Sequence, residues 1–418
     1  METVKGLLAF ISCPAFGRLS DRIGRKPCLL VTVIGTTMPV CALAFTTNMY
    51  VHIVLLSLSG ICSATFTLTF AYIADCVDTK QRAPAYGLAL ATFGMSFTLG
   101  PLIGSYVAQT VSDQGVFALA CMLVVANAVY ISLYLPETVK VQGTELDIDK
   151  EAYSVHGSTS LGIKGSRWGQ RVRDVIRYLP STWDVAQTFR VFGSNSFMTN
   201  LALVVFIYYT AVWAMVSTLM VFVTRQLQFD PVTLGWLLSG YGVATMFSEG
   251  VLVRWIVPAL GEMNSIRLGL FSFSLQCLCV ALSAQPAMIF VSMMFSLLSN
   301  LVYPSISSLV SKVVEEDAQG ESLGALNGIK ALTEGFGPLL FGLLMSLYEH
   351  HPTPGAPYLL ACVLTMWAFL HTWEMPMEPE LVAAKFYARE RGDDDAFGLL
   401  EAEAEEERIG HPSRKNNS

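Results

Sequence analysis

A charged island between two apolar runs constrains this chain more than any other stretch. Residues 17–26 read Gly-Arg-Leu-Ser-Asp-Arg-Ile-Gly-Arg-Lys, and they separate the apolar runs Val4–Phe16 and Cys28–Phe45. The island holds four bases and one acid, Asp21. Because Lys and Arg resist translocation, a short basic loop of this kind belongs on the cytoplasmic side of a membrane. A basic turn in a soluble protein is the alternative, and the flanking hydropathy argues against it.

The whole chain is too apolar for an ordinary soluble fold. Of its 418 residues, 53% are hydrophobic and 14% are charged, and its mean hydropathy is +0.50. Soluble domains carry about 25% charged residues. The net charge of −7 reflects acids concentrated near the C-terminus. The nine cysteines show no metal-ligand spacing, and we interpret them as small core residues rather than disulfides.

Apolar periodicity predicts an all-α polytopic membrane protein with eleven spans. Most spans reach the roughly 20 residues needed to cross a bilayer, but the first is shorter. We therefore expect a preceding helix to be missing, which would restore six spans on each side of the central loop. The predicted spans lie at 4–17, 27–47, 50–75, 84–110, 115–135, 196–224, 231–257, 265–284, 286–311, 320–349 and 355–375.

Four regions follow from this pattern. Residues 1–135 and 196–375 each form a helical bundle, and residues 136–195 form a central loop between them. Five arginines place this loop in the cytoplasm: Arg167, Arg171, Arg173, Arg177 and Arg190. The loop is either an amphipathic surface helix near 168–190 or a linker.

Residues 376–418 form an acidic tail, which we expect to be disordered and cytoplasmic. Within the tail, Asp395, Leu399 and Leu400 match the acidic dileucine pattern that sorting adaptors bind, although six-residue patterns also recur by chance.

The two bundles look like repeats of one unit. The triplet Gly100-Pro101-Leu102 recurs as Gly337-Pro338-Leu339, and the same spacing carries Gly87 to Gly324. At this spacing Gly17 meets Arg254 and Asp21 meets Pro258, so the charged motif is expected only in the first half. Parallel repeats of this size place a substrate site at their interface near the membrane midplane.

The residues after the fourth span complete a family resemblance. The segment Ala71–Asp75 is followed by Arg82 and Ala85–Leu88, and with the island at 17–26 it resembles the major facilitator superfamily. The pattern is similar to the tetracycline/proton antiporters, and more closely to the hippocampus-abundant-transcript group of orphan solute transporters. Further residues support the second comparison: Val4–Leu8, Phe66, Ala91–Phe93 and Asn327–Lys330.

The resemblance implies a conformational latch on the cytoplasmic side. In the family, the acid matching Asp21 lies against the N-terminus of the span at 320–349, where helix dipole and free amides favour an anion. The base matching Arg25 pairs with the acid matching Asp75. The alternative is that these charges only fix the topology. The implied latch residues are Gly17, Asp21, Gly24, Arg25, Lys26, Asp75 and Arg82.

Glycine and proline residues mark one span of each bundle. Gly94, Gly100, Pro101 and Gly104 resemble the antiporter signature of the family, and Gly337-Pro338 repeats part of it. Proline removes a backbone hydrogen bond and glycine permits close helix contact. A packing kink explains the pattern equally well.

Ionisable residues inside membrane spans are costly and are candidate functional residues. Lys330 and Glu334, with Asn327 beside them, either neutralise each other or line a substrate or ion site. Glu249 is near Arg254, and we interpret it as a solvated or paired charge. The antiporter arginine of the fourth helix aligns with Leu56, so the residues that carry proton coupling in the antiporters are not found.

These patterns favour a secondary transporter that moves a small organic solute, sugar-like or drug-like, by alternating access. The alternative is a non-transporting receptor or scaffold, or an inactive truncated transporter. No catalytic triad, phosphate loop or metal cluster is apparent, so we expect no enzyme activity, no cofactor and no nucleic-acid partner. The expected partners are the solute, the lipid bilayer, a coupling proton and sorting adaptors. The expected location is the plasma membrane or a vacuolar or endolysosomal membrane.

Overall fold

The computed structural model describes residues 2–46, 48–138, 196–314, 318–348, 351 and 353–375, and every regular element in these ranges is a helix. The predicted all-α polytopic fold is confirmed. Most of the central loop, including its five arginines, and the whole acidic tail with Asp395, Leu399 and Leu400 lie outside the described residues.

The first bundle contains five helical segments. A 3-10 turn at Gly60–Cys62 interrupts one of them, so α3 and α4 together form a single span. Proline lies inside α1, α2 and α5, where neighbouring helices can satisfy the freed backbone groups. The helices are α1 (Glu2–Ile23), α2 (Arg25–Leu43), α3 (Met49–Ser59), α4 (Thr65–Cys76), α5 (Arg82–Thr110) and α6 (Asp113–Tyr134).

The second bundle contains six helical segments. A π-helical turn at Ser248–Leu252 joins α8 to α9 within one span, and α11 and α12 likewise form one span. The helices are α7 (Ser196–Gln226), α8 (Pro231–Phe247), α9 (Val253–Leu260), α10 (Glu262–Ala281), α11 (Pro286–Ser299), α12 (Val302–Val313), α13 (Gln319–Tyr348) and α14 (Ala356–His371).

Nine of these segments are long and apolar enough to cross a membrane, counting only the residues that the structure describes. The other two are α1, which carries several charges, and α14, which is a shorter apolar helix. Each of the eleven predicted spans therefore coincides with a helical segment.

The first span is not too short to cross a bilayer, and the charged island that follows it is not a loop; both expectations are wrong. The charged island is largely helical, because α1 runs through Gly17 to Ile23 and spans 22 residues. The chain turns only at Gly24, whose φ of 110° is readily adopted by glycine and rarely by other residues. Gly17 is thus a packing residue inside a helix and not part of a tight loop.

Helices α1 and α13 join the two bundles along an antiparallel contact. A β-carbon at Gly324 would lie 2.6 Å from the carbonyl oxygen of Cys13, and one at Gly328 would lie 2.9 Å from that of Phe10. Gly17 lies at the end of the bundles that carries the charged island, named the cytoplasmic end after the side on which the sequence analysis expects it, and faces the backbone of Gly320 with no room for a side chain. Small residues let the helix backbones approach this closely.

Helices α5 and α8 form the second contact between the bundles. A β-carbon at Gly94 would lie 2.6 Å from the backbone nitrogen of Met246, and Gly87 faces the carbonyl oxygen of Glu249 in the π-helical turn. Gly87 and Gly324 are the pair related by the repeat, and each meets the opposite bundle. The two interfaces are therefore related by the internal repeat.

Two glycines beyond these contacts lie in open space. Gly100 on α5 and Gly342 on α13, both further from the cytoplasm, have no neighbouring atom within 4 Å of a β-carbon position. Near the cytoplasm, by contrast, the buried ring of Phe70 stacks on Tyr86 at 4.6 Å and lies 5.4 Å from the ring of Tyr303 in the second bundle. This conformation is closed at its cytoplasmic end.

Candidate functional site: a cytoplasmic latch and a central lysine

Arg25 is the most buried charged side chain of the latch, with only 2% of its surface exposed. Its Nε lies 3.0 Å from Asp75 Oδ2, and its guanidinium also forms an ion pair with Asp21. A third partner, Ser20, accepts a hydrogen bond of 2.6 Å from Nη1. Hydrogen-bonded pairing of this kind is what allows a charge to remain buried.

Asp21 lies against the N-terminus of α13. Its carboxylate is close enough to Gly320 that a β-carbon there would be 2.7 Å from Oδ2, and the backbone N–H of Glu321 stabilises its charged form. An anion at this position is stabilised by the free amides and the helix dipole. The structure thus places Asp21 where the family resemblance locates it.

Two arginines carry hydrogen bonds between the bundles. Arg18 Nη1 lies 2.9 Å from Glu321 Oε1. Arg82 donates a hydrogen bond of 2.7 Å to the carbonyl oxygen of Ser311 in the second bundle. It donates another of 3.0 Å to the carbonyl oxygen of Ala74 in its own bundle. Bonds from Arg82 to two carbonyl oxygens require no particular residue type at the acceptors, so a sequence cannot reveal them.

Glu137 is a latch residue that the sequence analysis missed. Its carboxylate accepts hydrogen bonds from the backbone N–H groups of Arg25, at 2.7 Å, and Lys26, at 3.2 Å, at the start of α2. It also occupies the space where a side chain at Gly24 would lie. Lys26 contributes its backbone N–H group to this contact. An acid directly after the last apolar span of the bundle was the available signal.

The Arg25–Asp75 pair has a counterpart in the second bundle with the charges reversed. Glu262 begins α10 as Arg25 begins α2, and Lys312 lies near the end of α12 as Asp75 lies near the end of α4. Their Oε1 and Nζ atoms are 2.7 Å apart. The preceding residue, Gly261, has a φ of 80° and corresponds to Gly24.

The expectation that the charged motif exists only in the first half is therefore wrong for this ion pair. It holds for Gly17 and Asp21, which have Arg254 and Pro258 at the related positions. Because both charges are reversed, the two pairs share no identical residue although both are ion pairs. A search for identical residues at related positions therefore could not detect the second pair.

The helix-bend residues occupy three different environments. Gly94 contacts α8. A β-carbon added at Gly337 would lie 2.6 Å from the Cβ atom of Trp213. Gly100 has open space, and Gly104 has only Val116 at 3.8 Å. Pro101 and Pro338 lie inside α5 and α13. Close packing thus explains Gly94 and Gly337, and it does not explain Gly100.

Lys330 lies on α13 among aromatic rings from both bundles. Its Nζ is 4.2 Å from the ring centroid of Tyr303, 5.2 Å from that of Tyr209 and 5.5 Å from that of Phe66. No carboxylate oxygen of the described residues lies within 4.0 Å of this Nζ. Cation–π contacts stabilise a desolvated ammonium group by about 2 kcal/mol. Ring faces are therefore the nearest partners of Lys330, and the carboxylates of Glu334 and Glu249 act on it only from a longer distance.

Glu334 and Asn327, one turn to either side of Lys330, have other partners. Glu334 Oε1 lies 3.2 Å from Lys5 Nζ on α1, so it pairs across the bundle interface and not with Lys330. Asn327 Oδ1 accepts a hydrogen bond from the hydroxyl of Tyr303. Its Nδ2 donates a hydrogen bond of 3.0 Å to the carbonyl oxygen of Leu323. Asn327 thus positions the ring closest to the ammonium group.

Glu249 is not the solvated or paired charge that we expected. Only 8% of its surface is exposed, and its Oε2 has no hydrogen-bond partner. No ion pair involves it among the described residues. Glu249 lies in the π-helical turn, which differs from an α-helix in the direction of its side chains. Three or more His, Cys, Asp or Glu residues gathered for a metal ion are not found in the described ranges.

This architecture defines a polytopic α-helical membrane protein whose two related bundles meet around a half-buried lysine and close at the end that carries the charged island. The family model of the Major Facilitator Superfamily matches residues 3–338 and 201–391. The chain belongs to this superfamily, as the sequence predicted.

Two curated relatives illustrate the range of similarity. The Mus musculus hippocampus abundant transcript 1 protein is 27% identical over 352 residues, which cover 84% of this chain and 66% of that protein. The Escherichia coli tetracycline resistance protein of class E is 26% identical over 342 residues, which cover 81% of this chain and 76% of that protein. The chain thus spans about two thirds of the length of the mouse protein.

The fold is similar to a solved structure. The crystal structure of the human organic anion transporter MFSD10 (TETRAN) superposes with a TM-score of 0.70 at 19% sequence identity. The superposition covers 89% of this chain and 82% of that chain. At this identity the similarity establishes the fold alone.

Proposed function

We propose that this protein is a secondary transporter that moves a small organic solute across a membrane by alternating access. The two bundles rock around a central site, and the cytoplasmic latch stabilises the conformation that is closed on that side. The family membership supports this role, as do the names of a tetracycline resistance relative and an organic anion transporter neighbour. No catalytic step is part of the proposal.

The solute carries a negative charge on an aromatic or other apolar body. The observation that supports this class is Lys330, an ammonium group at the interface of the bundles that lies against ring faces and has no carboxylate oxygen of the described residues within 4.0 Å. An anionic group would provide the missing counter-ion, and the rings of Tyr209, Tyr303 and Phe66 would stack on the body. Drug-like anions fit this site better than sugar-like solutes, whose hydroxyl groups would leave the ammonium charge uncompensated.

The test compares three probes that share one ring system. Purified full-length protein is heated with 1-naphthoate, 1-naphthylmethanol or 1-naphthylmethylammonium, and the unfolding temperature is recorded. We expect 1-naphthoate alone to raise it, and we expect Lys330→Met to remove that rise. Uptake of labelled 1-naphthoate into liposomes then distinguishes a transporter from a receptor.

Stabilisation by the ammonium probe, or an unchanged response of Lys330→Met, would contradict the anionic class. Binding without uptake in liposomes that hold correctly folded protein would favour a receptor. Arg225→Met, which removes an exposed base in the last turn of α7, is the control and should keep the response.

The protein is a multi-pass integral membrane protein, and the membrane in which it resides is part of the proposal. The pattern at Asp395, Leu399 and Leu400 supports sorting to an endolysosomal membrane in place of the plasma membrane. Replacing both leucines by alanine should then move a tagged protein to the plasma membrane. An unchanged distribution would show that the tail pattern is not a sorting signal.

A further inference from the structure

The π-helical turn at Ser248–Leu252 buries a carboxyl group that neither the latch nor the anion site uses. Glu249 is 8% exposed, and its Oε2 is enclosed without a hydrogen-bond partner. Short π-helical turns inside α-helices occur frequently at functional sites. Burying an ionised carboxylate without a partner costs several kcal/mol, so such a group is neutral unless a counter-ion approaches.

The ionisable groups around Glu249 offer no direct counter-ion. Lys330 on α13 is the cation that interacts with it electrostatically, and the two are not within 4.0 Å. Tyr208 and Tyr209 on α7 and Tyr303 on α12 also lie within electrostatic range of this carboxyl group.

Two further helices, α5 and α11, pack against the turn. The ionisable residues of α5 are Arg82, Tyr86 and Tyr106, and Arg82 is bonded to Ala74 and Ser311. Helix α11 contains no ionisable side chain.

Glu249 lies where the bundles touch and would separate. Gly87 on α5 faces its backbone carbonyl oxygen, and a β-carbon there would lie 2.9 Å from Val253 one turn later. Along their helices, Glu249 and Lys330 are each about three turns from the cytoplasmic end. Opening of the cytoplasmic side would break the α5 contact and expose the carboxyl group to water from that side.

We propose that Glu249 is a proton-binding residue, which holds its proton while the cytoplasmic side is closed and releases it to cytoplasmic water when the bundles separate there. The step is the dissociation of a carboxylic acid into a carboxylate and a proton, and no other bond changes. Because the neutral acid needs no counter-ion, it is compatible with the closed state. The carboxylate needs water, so its formation favours the open state.

This role rests on the alternating-access function proposed above, and it assigns that function a coupling ion. The carboxyl group differs from the one that the antiporter resemblance would have supplied. The corresponding helix-four arginine is Leu56 here, so proton binding in this chain depends on a different helix.

Reaction with dicyclohexylcarbodiimide tests the protonation state directly. A protonated carboxyl group adds across one C=N bond to form an O-acylisourea, which rearranges to a stable N-acylurea that retains every atom of both reactants. In the intact protein at about pH 6 we expect the peptide containing Glu249 to gain this mass, and at about pH 9 we expect the gain to fall at least about tenfold. Glu321 and Glu334, paired with Arg18 and Lys5, are comparators in the same molecule and should react less.

Coupling to conformation is tested by spin labels at Lys80 and Ala259, exposed positions near the cytoplasmic ends of the two bundles. The background carries Cys76→Ser because Cys76 is exposed. Raising the pH should increase the open population by up to about tenfold per pH unit, the limit for one proton. Glu249→Gln should abolish the pH response and keep the spin-label distance of the closed state. Glu249→Asp, which keeps a carboxyl group, should still respond to pH.

Glu374→Gln makes the same chemical change at an exposed carboxylate and should behave as wild type. Carbodiimide labelling that avoids Glu249, or a pH response that survives in Glu249→Gln, would overturn the proton site while leaving solute transport intact. Failure of 1-naphthoate binding and uptake, with Glu249 still reactive, would instead remove the proposed solute.

Discussion

At the scale of single residues, Lys330 and Glu334 lie on one face of α13 but have different partners. Lys330 and Glu334 are four positions apart on one helix, and that spacing suggested mutual neutralisation. In the structure Glu334 pairs with Lys5, which is 329 positions away, and Lys330 contacts aromatic rings. A partner so distant in the chain becomes apparent only when α1 and α13 are seen to pack together.

The charge-swapped protein Lys330→Glu with Glu334→Lys tests this assignment. We expect the swap to fail, because a glutamate at 330 would face ring π-electrons and a lysine at 334 would face Lys5. Binding of 1-naphthoate should be lost, and the unfolding temperature should fall.

The control is Glu334→Gln, which removes only a partly exposed ion pair and should cost about 1 kcal/mol or less. Full binding in the swapped protein would mean that the two side chains act as one neutral pair.

At the scale of helices, glycine positions divide into those that touch the opposite bundle and those that do not. Gly324 and Gly342 lie on the same helix, yet Gly324 meets the backbone of Cys13 and Gly342 has open space around it. The Gly-Pro-Leu repeat predicted related helices in the two bundles. Which glycines carry the contact could not be predicted, because that depends on how the bundles lean against each other.

Replacing Gly324 by alanine should weaken the cytoplasmic closure. The new methyl group would collide with backbone atoms that cannot move independently, and overpacking of this kind costs about 1–3 kcal/mol. Spin-label distances between the cytoplasmic ends should shift towards the open state by roughly tenfold in population.

Gly342→Ala adds the same methyl group on the same helix and is the matched control. It should leave the distances unchanged, and alanine should even favour the helix slightly. Equal effects of the two substitutions would mean that helix propensity, and not contact between bundles, explains these glycines.

At the scale of the whole molecule, the position of the charged loops sets the topology. We predict that residues 136–195 and 376–418 face the cytoplasm, since arginines cluster in the first of these segments. Cysteines placed at Ser166 and Gly410 should resist a membrane-impermeant maleimide applied to intact cells, and one at Thr353 should react. Reaction at Ser166 or Gly410, with Thr353 protected, would reverse the orientation.

The internal repeat was only partly visible in the sequence. Identity at Gly100-Pro101 and Gly337-Pro338 revealed it, while the latch pairs Arg25–Asp75 and Glu262–Lys312 escaped detection because both signs are reversed. Pairing depends on opposite charge and geometry, and either order satisfies it. The first pair also belongs to a network with Asp21 and Ser20, and Pro258 occupies the position related to Asp21 in the second bundle.

This difference predicts that the two ion pairs will respond unequally to reversal of their charges. Glu262→Lys with Lys312→Glu should retain a closed cytoplasmic end, although it loses the hydrogen bond from Ser308 Oγ to Glu262 and the favourable placement of an acid in the first turn of α10, the latter about 0.3–1 kcal/mol. Arg25→Glu with Asp75→Arg should open it, because the new acid would lie buried beside Asp21, and removing one partner of a buried pair costs about 3–5 kcal/mol.

Spin-label distances and unfolding temperatures measure both effects. Equal tolerance of the two reversals would show that Asp21 does not belong to the latch network, and equal failure would show that Glu262 needs its negative charge for a reason other than pairing with Lys312.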